Sequence, residues 1–277
     1  MKLKLELFDK DKNVKLGKND YEDFQRQLVA EGEDYVQIAT QEMRFSEGDT
    51  IKLTVQHPNQ FLVVKLDETL DPTLIYLTGK EWVYRVPLSS GDLPSASDLS
   101  FKGKSHYLSA RLAKDHEIKA YKNLALNPHD QKEISGAYPH ATANVETRND
   151  STFFAKNAIN GIYANLSHGS YPYQSWGINR QTDAAITIDF GRLVTVDKIG
   201  LVLRSDFPHD SYWEQVSVIF SDGSEEILST VKSPSVQMFD IIPRTTTNVT
   251  LTNLIKAADD SPFPALTELE VYGTESL

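Results

Sequence analysis

The densest chemistry in the chain lies in ten residues, 204–213 (RSDFPHDSYW), which hold an arginine, two aspartates, a histidine and three aromatic rings. A second cluster, 163–180 (YANLSHGSYPYQSWGINR), adds His168, Tyr171, Tyr173, Trp176 and Arg180. A pyranose ring offers an apolar C–H face and a rim of hydroxyls. An aromatic ring suits the face, and Arg, Asp and His suit the rim through directional hydrogen bonds. Both clusters therefore match a saccharide by residue type, with Arg204, Asp206, His209, Asp210 and Trp213 in the first and His168, Tyr173 and Trp176 in the second as candidate contacts. The competing reading is a loop folded on itself, with Phe207 and Pro208 packed inward and Asp206 paired with Arg204.

The same loop also suggests an enzyme. Asp206, Asp210 and Glu214 are close in sequence, and glycoside hydrolysis needs two carboxylates on opposite sides of a bond. All three come from one segment with no opposed partner, which ranks catalysis below binding. A third class, a protein-interaction module, is left open by the residues.

A further oxygen-rich pair is FAKNAINGIYAN, 154–165, and ALTELEVYG, 265–273. An Asn-Gly turn with carbonyl oxygens, joined by Glu268, offers the hard-oxygen shell that calcium takes. Taken alone, an Asn-Gly pair is an ordinary turn.

The elements that position these residues are strand-like. Ile186, Ile188 and Phe190 alternate, as do Ile199, Leu201 and Leu203, then Val216, Val218 and Phe220. Spacing by two marks a sheet with one buried face. Phe190-Gly191-Arg192, Ser221-Asp222-Gly223 and Pro243-Arg244 read as turns between strands. Before residue 122, the runs 51–55, 61–66, 73–77 and 82–86 are short and β-branched or aromatic. Tyr21, Phe24 and Leu28 predict one helix over 20–30. Residues 89–100 read as a loop, and a strand pair near 105–112 and 116–121 would close the first domain. The segment 123–136 (NLALNPHDQKEISG) reads as a link. The expectation is all-β: two tandem β-sandwich domains, 1–122 and 123–277.

Composition narrows the partners. Twenty-eight basic residues against 39 acidic ones give a net charge of −11, and most of the excess acid follows residue 125. Such a surface repels phosphate backbones and anionic headgroups, which argues against nucleic acid and membrane partners. The absence of cysteine excludes disulfides, thiolate catalysis and zinc–thiolate sites. The start, MKLKLELFDKDK, has no apolar core of signal-peptide length, so a cytoplasmic protein, or one without its signal, is expected.

Residues 140–273 resemble the discoidin-type, galactose-binding-like β-sandwich, especially bacterial family 32 carbohydrate-binding modules. The carriers are NAING, then SWG, ITIDFGRLVTVDKIGLVLR, VSVIFSDGSEEIL, VTLTNL and LTELEVYG, in that order. The resemblance covers about half of the chain. It implies a jelly-roll sandwich, a sugar site on loops at one end, and a structural calcium ion (Ca2+). By position, the calcium ligands would be main-chain oxygens of Asn157, Ile162 and Asn165, the side chain of Asn160, and Glu268. Asn160 stands where that family has Asp, which removes one negative charge from the shell. By the same resemblance the sugar-contacting arginine would be Arg204, with His209 and Asp210 in the loop after it as polar contacts and Trp213 or Trp176 as the stacking ring.

Overall fold

A computed structural model describes residues 1–276, and the chain is nearly all β. It divides into two compact units. One comprises residues 1–117 with 133–137, and the other comprises 118–132 with 138 onward. The segment read as a link is thus shared between them. Leu124 and Ala125 are buried in the second core. The amides of Leu124 and Asn127 donate to Val271 O and Ile159 O, both at 2.7 Å. Residues 133–137 return to the first unit, where Trp82 Nε1 donates to Ser135 Oγ at 3.1 Å.

The first unit packs two antiparallel sheets. One runs Val29–Glu33, Lys2–Phe8, Thr50–Val55, Glu81–Arg85, and the other includes Thr73–Leu77, Gln60–Lys65, His106–Leu112 and Tyr35–Thr40 in that order. Alternate residues, such as Leu3, Leu5 and Leu7 or Ile51, Leu53 and Val55, fill the core between them. The expected helix over 20–30 is absent. Arg26–Gln27 and Val29–Glu33 are strands there, Leu28 is buried, and Tyr21 and Phe24 stand in solvent. Three apolar positions at helical spacing gave way to pairing with Lys2–Phe8. The expected strand at 116–121 is instead a short helix, Asp115–Lys119. Glu117 closes it by accepting from Lys114 N at 2.7 Å and from Arg111.

The second unit is a β-sandwich built on two long strands, Ile186–Leu203 and Gln237–Lys256, which pair with each other. Ala265–Glu275 flanks the first, while Trp213–Phe220 and Glu225–Ser229 extend from the second. Two expected turns prove to lie inside strands. The register slips between Asp189 and Val194, around Gly191. Gly191 has φ +64°, and a Cβ there would lie 2.5 Å from the Tyr138 ring. Pro243-Arg244 lies within Gln237–Lys256. Ser221-Asp222-Gly223 is a true turn, with Gly223 at φ +81°. Ile186, Ile188, Phe190, Val216, Val218 and Phe220 all face the core, as the alternation requires.

Candidate functional site

Arg204 follows the Ile186–Leu203 strand and is tied to the last strand by its amide, which donates to Ala265 O at 3.0 Å. Its side chain is only 5% exposed, and Nε lies 3.0 Å from Asp206 Oδ1. The pair is ionic, with an angle short of a hydrogen bond. The outer nitrogen donates to the carbonyls of Phe263 and His209. One guanidinium therefore fixes both loops. Burial pulls Arg204 below its ordinary pKa, and the Asp206 carboxylate opposes that shift.

Asp206 is also buried. It accepts from His168 Nδ1, and His209 Nδ1 lies 3.8 Å away. The two imidazoles meet edge to face at 5.0 Å, and both are partly exposed. Asn165 braces this assembly from behind. Its side chain donates to Leu203 O and Pro234 O, and its carbonyl accepts from Ser205 N at 2.8 Å.

In front of Arg204 lies a cavity of about 180 Å³. Its wall includes His168, His209, Asn179, Arg180, Phe153 and Phe263, and no carboxylate is among its lining residues. Phe263 is an exposed ring, with the Arg180 guanidinium 4.5 Å from its centroid. Arg148 covers Phe153 in the same way at 5.4 Å. Two pairs of non-glycine residues at the rim hold left-handed backbone: Arg148 and Asn149 at φ 55° and 52°, Asn179 and Arg180 at φ 49° and 60°. Such residues are sparse in proteins and concentrate where a site over-determines its own geometry. Asn179 N donates to Thr147 Oγ1 at 2.9 Å, so the two rim turns hold each other.

Several expected contacts are corrected. Trp176 and Trp213 are not stacking platforms. Both are core residues, 0% and 1% exposed, with ring centroids 6.3 Å apart. Trp176 Nε1 donates inward to Val145 O. Asp210 is turned toward Lys232, 2.8 Å away, and lies outside the cavity lining. Tyr173 is also outside the lining. Asp206 lies beneath the site and orients its neighbours. Phe207 does not pack inward, since it is 88% exposed. Of the expected contacts, the cavity wall brings together Arg204, His168 and His209.

No protein-family model matches the chain, and no curated protein matches it. Among solved structures, a chitosan-binding module from a Paenibacillus sp. IK-5 chitosanase/glucanase is 18% identical. The match covers 56% of this chain and all of that one, at TM-score 0.36. A family 32 carbohydrate-binding module from C. perfringens NanJ, in complex with galactose, is also 18% identical. It covers 48% of this chain and 91% of that one, at TM-score 0.37. A fucose-binding module from Streptococcus pneumoniae is 17% identical over 55% of this chain and 98% of that one, at TM-score 0.38.

The residues that sequence reasoning missed are Phe263, Asn179 and Arg148. The available signal for Phe263 was the segment SPFP, which places an aromatic between two prolines just before the last strand. A proline-flanked ring has little backbone freedom and no strand face to hide on.

The oxygen-rich turn is also defined. Glu268 is fully buried. Its Oε1 accepts from Gly161 N at 3.0 Å, and its Oε2 has no hydrogen-bond partner among the described residues. Burial holds its carboxyl well above the usual range, with Glu270 adding to the shift and the Gly161 amide opposing it. Asn160 Oδ1 accepts from Ile162 N at 2.9 Å. Asn157 donates through Nδ2 to Ser151 O and Ser175 O and leaves Oδ1 buried without a partner. The Asn165 carbonyl accepts from Ser205 N, as Asn160 Oδ1 accepts from Ile162 N.

Proposed function

We propose that the C-terminal unit binds a saccharide, without catalysis, in the cavity between Arg204 and Phe263. The observation that carries this reading is the pairing of an exposed aromatic ring with a prepaid set of polar groups on one concave wall. Phe263 meets a C–H face of the sugar. Arg204 is already ordered by Asp206, so little freedom is lost when it meets a ligand oxygen. His168 donates from Nδ1 to Asp206, which leaves Nε2 to hydrogen-bond a sugar hydroxyl. Asn179 supplies both donor and acceptor at the rim.

The enzyme reading is weaker on the same geometry. Asp206 is spent on Arg204 and His168, Asp210 on Lys232, and Glu214 is exposed on a strand. A glycan array followed by calorimetry on the full chain tests the binding reading. Binding that Phe263→Ala weakens supports it, and no binding to any mono- or oligosaccharide refutes it. Turnover of chromogenic glycosides would favour the enzyme instead.

For the turn, the reading is a calcium ion held by Glu268 with oxygens of Asn157, Asn160 and Ile162. The unpartnered, buried Glu268 Oε2 supports it, because a cation there offsets the desolvation of that carboxylate. Melting in calcium against chelator tests it.

A further inference from the structure

We propose that the N-terminal unit carries a site for a divalent transition-metal ion, formed by Asp67, Glu68 and His106. His106 opens the His106–Leu112 strand, and its side chain is 1% exposed. Among the described residues, both of its ring nitrogens are buried without a hydrogen-bond partner. A neutral imidazole carries one donor and one acceptor, and interiors rarely leave both unmet. The nearest ring, Phe45, meets His106 edge to face at 4.9 Å and supplies no polar partner.

What faces His106 is acidic. His106–Leu112 pairs with Gln60–Lys65, with Ser109 opposite Lys65. Carried three residues on, that register sets His106 across from Glu68. Asp67 is 2% exposed, and three donors hold its carboxylate in place: Thr69 N at 2.9 Å, Thr69 Oγ1 at 2.6 Å and Phe101 N at 2.9 Å. Among the described residues, no lysine or arginine pairs with it. Glu68 accepts from Tyr107 N through Oε1 at 2.8 Å, and its Oε2 lies 3.9 Å from His106 Nδ1. One ligand atom from each of the three side chains lies within 4.8 Å of the others. That is near the span that bonds of about 2.0–2.2 Å to a shared ion require.

A cation between them would use an imidazole nitrogen that has no hydrogen-bond partner and neutralise a buried carboxylate that has no counter-ion among the described residues. One nitrogen and two oxygens suit zinc or manganese, whereas calcium prefers oxygen alone. Glu68 is half exposed, which gives the ion a way in and leaves room for water as a further ligand.

The test is calorimetric titration of the chelator-stripped full chain with zinc and with manganese, together with melting in each. The expected result is one ion per chain at this site and a higher melting temperature. Glu68→Gln, at a half-exposed position, keeps the fold and weakens uptake at least tenfold. His106→Gln abolishes it. A second cluster, His168, Asp206 and His209, also brings ligand atoms together, so the control is His168→Ala with His209→Ala. Uptake that survives this double change and is weakened at least tenfold by Glu68→Gln supports the proposal. No uptake by the stripped chain, or uptake indifferent to Glu68→Gln, overturns it.

Discussion

Replacing Arg204 with alanine should destabilise the C-terminal unit strongly as well as abolish saccharide binding. The guanidinium and the Asp206 carboxylate are 3.0 Å apart, with side chains 5% and 7% exposed. Removing one member of so buried a pair strands the other charge, at a cost of about 3–5 kcal/mol. The donors to Phe263 O and His209 O are lost as well. For a unit of this size, each kcal/mol lowers the melting temperature by about 2–4 °C, so the fall should be about 6–20 °C. Scanning calorimetry of the full chain reads this directly, with isothermal titration reading affinity alongside. Adding Asp206→Asn to Arg204→Ala should recover part of the loss, because the stranded charge is gone; the double-mutant cycle gives the coupling. A single variant that melts within about 2 °C of the parent, on the scale above, would refute the reasoning. It would mean that the guanidinium is a ligand contact and holds no loops together.

Phe263→Ala should do the opposite, weakening sugar binding about tenfold, the equivalent of one lost stacking contact, with little change in melting. Titration calorimetry and melting on the same sample separate the two effects. Trp213→Ala should cost about 3–5 kcal/mol, measured by urea unfolding, because it empties a core position. Gly191→Ala should destabilise by about 1–3 kcal/mol in the same assay, since φ is +64° and the new methyl meets the Tyr138 ring. Glu268 sets a pH dependence. Its folded carboxyl is raised above its unfolded value, so its stabilising effect is full below the unfolded pKa and is lost as pH rises toward the folded one. In chelator at neutral pH, Glu268→Gln should therefore melt higher than the parent, and the gap should close at acid pH. Calcium should raise the parent and leave the variant unmoved.

The sandwich strands were legible because alternation survives in them. Ile186, Ile188 and Phe190 point inward as their spacing says. The direction of Trp213 was not legible. Counting back by twos from Phe220, Val218 and Val216 puts position 213 on the outer face. Two register shifts, between Trp213 and Gln215 and between Gln215 and Ser217, turn it inward. A bulge leaves no reliable mark in one sequence. It likewise hid the continuity of Ile186–Leu203 through Gly191. Of the cavity wall, Arg204, His168 and His209 stood in the clusters that residue type singled out, and the family resemblance pointed to Arg204 and His209 in particular. Phe263 was missed because it lies far along the chain from the loop it faces, and only tertiary structure brings it to Arg204.

The route of residues 118–137 bears on how the molecule can be cut. The sandwich motifs begin near residue 140, but Leu124 and Asn127 are hydrogen-bonded to Val271 and Ile159. A fragment starting at residue 140 would lose that clamp beside the Gly161 turn and the last strand, which carries Glu268. A fragment ending at residue 117 would lack the Ser135 hydroxyl that Trp82 needs. Neither half is a contiguous stretch of chain, so limited proteolysis within 118–132 should yield two pieces that stay associated until denatured.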